Sequence, residues 1–100
     1  MKTNQITLIG FAGKNIEISQ IDTKKMGKIS LAVNENYKRG EEWITKTQWF
    51  SIIIWNVDDK KEALKIKKGD KLKIDGKLSV NIYNNRQYVE IIASKISSLK

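Results

Sequence analysis

The chain has no cysteine, no histidine and no proline. Without cysteine there are no disulfide staples and no thiol chemistry. Without histidine the commonest general base and the commonest metal ligand are both missing. Acidic residues are scarce too, 11 Asp and Glu against 19 Lys and Arg. They adjoin only as Glu41-Glu42, in a loop, and Asp58-Asp59, at a helix start where the helix dipole accounts for them. No nucleophile stands beside a base, no glycine loop could cradle a phosphate, and no spacing suits a metal. The expectation is a protein without catalytic activity, cofactor or metal. No apolar run approaches the length of a membrane span. The opening MKTNQITLIG has no apolar h-region and no cleavage site. A soluble, cytoplasmic protein with no membrane partner is expected.

What is present is positive charge and alternation. The 100 residues suit one domain, 1–100, and an apolar content of 40% is enough for a globular core. The net charge of +8 points to a polyanion. Nucleic acid is favoured over a membrane surface, because no basic amphipathic helix is visible.

Apolar residues recur with period two. Ile6 and Leu8 alternate with Thr7, Ile16 and Ile18 with Glu17, and Ile29, Leu31 and Val33 with Ser30 and Ala32. Leu72, Ile74, Leu78, Val80 and Ile82 share one parity, and Val89, Ile91 and Ala93 close the series. This pattern predicts antiparallel strands with one face in and one face out. Turns are expected at Gly10–Gly13, Lys25–Gly27 and Lys38–Glu42, with Asn84-Asn85 as a tight hairpin. Only NVDDKKEALKIKKGD (56–70) breaks the period; it predicts a short helix, capped by Asp59 and Glu62 and stopped by Gly69. The fold class is therefore all-β: a five-stranded OB-fold barrel with its helix between the third and fourth strands.

The segment 47–55 bears on function. Its even positions Phe50, Ile52 and Ile54 make a core face, while Trp49, Ser51, Ile53 and Trp55 take the other side. Six residues of strand separate the indoles by roughly 20 Å, too far to stack on each other but suited to two platforms along a path. Tyr83 has the parity of Lys71, Lys73 and Lys77, so a second strand also predicts an aromatic, basic surface. Unpaired bases stack on such rings and their phosphates seek such lysines; duplex DNA hides its bases.

SLAVNENY (30–37), KTQWFSIIIW (46–55), LKIKKGDKLKIDGKL (64–78) and NQITLIGFAGKNIE (4–17) resemble the bacterial single-stranded DNA-binding protein family, over nearly the whole chain and in order. The resemblance implies base stacking at Tyr37, Trp49, Trp55 and Tyr83. It implies that the loop 38–46 is a shortened form of a flexible DNA-contacting arm, carrying Lys38, Arg39, Lys46 and Trp43. Trp43 is either a fifth platform or a hydrophobic plug. Lys71, Lys73, Lys77 and Arg86 complete the expected phosphate contacts.

The implied function is sequence-tolerant coating of single-stranded DNA in replication, recombination or repair, by a nucleoid-associated homo-oligomer, dimer or tetramer. RNA remains open as a ligand, and so does a protein-interaction subunit with weak nucleic-acid binding. There are departures from the family pattern. GFAGKNI (10–16) lacks the usual arginine and proline, and Phe50 replaces a common histidine near a subunit interface. The chain ends in the basic SKISSLK, so no acidic tail for recruiting other enzymes is expected.

Overall fold

The computed structural model describes residues 3–99. Among the described residues six strands form: β1 (Ile6–Ala12), β2 (Glu17–Ile21), β3 (Lys24–Arg39), β4 (Glu42–Trp55), β5 (Lys71–Tyr83) and β6 (Arg86–Leu99). Five of them close a barrel. β1 pairs with β5 and β3, β5 with β6, β6 with β4, and β4 with β3, while β2 is hairpinned onto β3 outside the ring. This is the expected OB-fold, with its helical segment between the third and fourth barrel strands, β4 and β5. One pairing departs from expectation. The strands are antiparallel except at closure, where Ile52 and Ile53 of β4 pair in parallel with Ile91 and Ile92 of β6.

The core follows the alternation. Ile29, Leu31, Ile52, Ile54, Leu72, Ile74 and Ile91 are sealed from solvent. Each such side chain contributes about 1.5–3 kcal/mol of transfer free energy. The helical segment is shorter than predicted: a 3-10 turn, Val57–Asp59, then α1 (Lys61–Leu64). The cap of α1 is Lys60, with no side-chain hydrogen bond, so the Asp59–Glu62 box does not form. Val57, Ala63 and Ile66 are nevertheless buried and plug one end of the barrel. The segment is held by backbone bonds instead. Ala12 N–H donates to the Asp70 carbonyl at 2.9 Å, and Gly69 N–H to the Ala12 carbonyl at 2.8 Å.

Two hairpins overrun the barrel. β3 and β4 stay paired from Met26–Trp55 out to Arg39–Glu42, so only Gly40 and Glu41 turn the chain. The predicted loop 38–46 is thus largely strand. The predicted turn at Lys25–Gly27 is also strand; the chain reverses instead at Asp22, whose φ is 55°. Likewise Gly10 lies within β1, and the break comes at Gly13. The second overrun is the β5–β6 hairpin, closed by Asn84 and Asn85 with φ of 50° and 62°. Two successive positive φ values give a turn whose twist matches the strands.

The register shifts at Asp75/Gly76, and the hairpin leaves the barrel two residues on, at the Leu78–Ile91 pair, where Ile91 makes its closure contact with Ile52. Beyond it the inward parity has no core to meet. Leu78, Val80 and Ile82, predicted to be buried, are 42%, 47% and 78% exposed.

Candidate nucleic-acid interface

Register decides which side chains share a face, because directly opposed residues in an antiparallel pair project to the same side. On one side of the β3–β4 ribbon stand Trp43, Trp49 and Trp55, opposite Lys38, Ala32 and Met26. No bulge interrupts the 14 paired positions, so all three indoles lie on the outer face at six-residue intervals, spanning roughly 40 Å. They are 72%, 62% and 37% exposed. Between Trp43 and Trp49 the same face carries two cross-strand bonds. Thr45 Oγ1 donates to Asn36 Oδ1 at 2.8 Å, and Thr47 Oγ1 to Asn34 Oδ1 at 2.7 Å. These tie the strands of the arm beyond the support of the core.

Trp49 has a fixed seat. A β-carbon placed on Gly13 would lie 2.5 Å from Trp49 Cζ3 and 3.0 Å from Cη2. The six-membered ring of the indole therefore rests against the Gly13 backbone, which is itself anchored by its N–H to the Ser30 carbonyl at 2.8 Å. Trp55 borders a separate recess formed with Ile21, Asp22, Thr23 and Lys24 at the β2–β3 turn.

Between these two indoles a row crosses four strands. Lys77 opposes Ile92, Ile92 pairs with Ile53, and Ile53 opposes Lys28. Ile53 was expected outward with the tryptophans. It takes that side but is only 4% exposed, because barrel closure sets Ile92 beside it. Lysine stems suit the flanks of such an apolar strip while their ammonium groups stay in water.

The same face continues along the β5–β6 hairpin through Tyr88, opposite Asn81, to Tyr83, opposite Arg86. The two tyrosines are 48% and 68% exposed. Tyr88 was absent from the sequence-predicted site. Counting back through the Asn84-Asn85 turn pairs it with Asn81 and would have found it.

Other predicted residues stand apart. Tyr37 is 45% exposed, but it opposes Ile44 on the reverse face of the β3–β4 arm. Lys46, opposite Glu35, and Arg39, opposite Glu42, share that reverse face. Lys71 and Lys73 flank β1 at Phe11 and Ile9 and β6 at Leu99 and Ser97, away from the β4–β6 junction. Of the seven predicted phosphate contacts, Lys38, Lys77 and Arg86 share the face of the tryptophans.

Both the sequence and the fold match known proteins. The chain is 23% identical over 101 residues to a single-stranded DNA-binding protein of Treponema pallidum, covering 96% of this chain and 57% of that one. The chain thus spans little more than half the length of this curated relative. Among solved structures, the Plasmodium falciparum SSB in complex with ssDNA superposes with a TM-score of 0.88 at 26% identity, over 100% of this chain and 97% of that one. A deletion mutant of the Thermus aquaticus single-stranded DNA-binding protein shares the fold, with a TM-score of 0.85 at 14% identity, over 97% of this chain and 50% of that one. The model of the single-strand binding protein family matches residues 3–99, from the first described residue through the last strand of the barrel, and the chain belongs to that family.

Proposed function

We propose that this protein binds single-stranded DNA without regard to sequence, stacking bases on Trp43, Trp49 and Trp55 and on Tyr83 and Tyr88. Lys38, Lys77 and Arg86 neutralise phosphates beside them. The carrying observation is the in-register series of three exposed indoles on one uninterrupted strand. Every base has a flat face, so stacking tolerates any sequence, at about 1–3 kcal/mol per base by alanine substitution. Tyr37, with Arg39 and Lys46, offers a second contact line on the reverse face of the arm, for a strand that wraps over the hairpin tip. Lys71 and Lys73 lie outside the main path. The reading is of a binder that performs no reaction, acting in replication, recombination or repair at the nucleoid.

The experiment is a fluorescence titration. Oligo-dT at low salt should quench the tryptophan emission strongly, and duplex of equal length should leave it nearly unchanged. Absence of quenching by oligo-dT would overturn the proposal. Matched RNA strands in competition give the DNA-to-RNA preference, since no group on this face is dedicated to a 2′-hydroxyl.

Self-association belongs to the same reading. It is supported by the reverse side of the β5–β6 hairpin, where Leu78, Val80, Ile82 and Val89 form an exposed apolar strip. Light scattering should give a dimer or tetramer, and Val80→Asp should shift it toward monomer.

A further inference from the structure

Between Trp49 and Trp55 the outer face is not flat. A polar recess of about 220 Å3 opens there, lined by Lys14, Asn15, Glu17, Lys28, Ser30 and Ser51. Three elements supply its donors. Ser51 lies on β4 between the indoles, Ser30 and Lys28 stand opposite β4 on β3, and the β1–β2 connection brings Lys14 and Asn15. A strand lying across both indoles must pass over this recess. Its chemistry is mainly that of donors. Lys14 and Lys28 are cations and the two serines carry hydroxyls. Asn15 Oδ1 is occupied by the Lys68 N–H at 2.9 Å, which leaves its NH2 group as the donor end. The one carboxylate, Glu17, sits 3.9 Å from the Lys14 ammonium, with both side chains well exposed.

We propose that this recess is a phosphate subsite, in which Lys14 and Lys28 hold the backbone between a base on Trp49 and a base on Trp55. The inference rests on the single-strand reading above and names its path between two platforms. The seat of Trp49 on Gly13, adjacent to Lys14, supports the assignment. The same short connection that fixes the ring also supplies the cation. Lys77 closes the opposite flank across Ile53 and Ile92, so the path between the platforms has positive charge on both sides.

The test is the salt dependence of oligo-dT binding in Lys14→Gln and Lys28→Gln, with Lys65→Gln as a control for the loss of one charge elsewhere. Each recess substitution should lower the slope of log K against log salt by about 0.7, the value for one single-strand phosphate contact. The control should leave the slope in place. Slopes for Lys14→Gln and Lys28→Gln that match the control, with the wild type still binding, would overturn this subsite alone. A wild type that fails to bind oligo-dT would overturn the parent reading as well.

Glu17→Gln supplies the opposite sign. Removing an anion beside a phosphate should tighten binding to all homopolymers by about two-fold, within the range of an exposed charge pair. Weakened binding confined to dC or dA strands would instead mean that Glu17 accepts a hydrogen bond from a base amino group, and would refute the phosphate assignment. Thermal melting of each variant should match the wild type, because these side chains are on the surface.

Discussion

Trp49 rests on Gly13: there is no room for a β-carbon between the glycine and the six-membered ring of the indole. A stacking platform works best when its orientation is set before the base arrives, since ordering a free side chain on binding costs free energy. Gly13 sets that orientation by having no side chain. Its φ is not in the left-handed region, so alanine is allowed by the backbone and only the ring must move. Gly13→Ala is therefore expected to fold with stability within about 1 kcal/mol of wild type. It should weaken oligo-dT binding, though less than Trp49→Ala does. Thermal melts and fluorescence titrations on the same samples check both halves.

Removal of the rings themselves should produce a graded series. Trp49→Ala and Trp55→Ala should each cost about 1–3 kcal/mol of binding free energy. Trp43→Ala should cost as much only with oligonucleotides long enough to reach the arm. With short ones it should bind like wild type. A loss at Trp43 independent of oligonucleotide length would mean that the residue braces the protein rather than the ligand. Titration across a ladder of dT lengths separates these cases.

Position on the face, not charge alone, should govern the lysines. Lys38→Gln and Lys77→Gln lie beside the indoles and should each reduce the salt slope by about 0.7. Lys71→Gln and Lys73→Gln remove equal charge from the β1 side of the barrel and should change it less. Equal effects at all four positions would show that the strand wraps the whole barrel.

The core and the arms should respond oppositely to truncation. Ile52 is fully buried, and Ile52→Ala should destabilise the fold by about 2–5 kcal/mol in urea unfolding. Ile82 is 78% exposed on the projecting hairpin, and in samples diluted to the monomer Ile82→Ala should stay within about 0.5 kcal/mol of wild type. A large loss of stability at Ile82, in a sample shown to self-associate, would place that residue in the contact between copies.

Much of this was legible in the chain. Period two named the barrel strands, because a half-buried strand must alternate. Asn84-Asn85 named a hairpin, because that turn needs two residues tolerant of positive φ. On the even face Ile52 and Ile54 are core and Phe50 packs half-buried against it, leaving Trp49 and Trp55 for the other side. Alternation, however, states only parity. It could not say where the barrel ends, so Leu78, Val80 and Ile82 kept the inward pattern where no opposing sheet exists.

The helix was overestimated for a related reason. Acid-to-lysine patterning suggested a short helix running from the Asp59 cap to the Gly69 stop, but the segment only has to bury Val57, Ala63 and Ile66 against the barrel end. By itself, then, the sequence determined the alternation of the barrel strands, the Asn84-Asn85 turn, the charge and the parity of each aromatic, since these depend on neighbours along the chain. Tertiary structure alone decided that Ile53 is covered by Ile92, that Tyr37 lies behind the arm, and that Gly13 seats Trp49. Those depend on register and closure, which bring together residues up to 40 positions apart that local periodicity cannot relate.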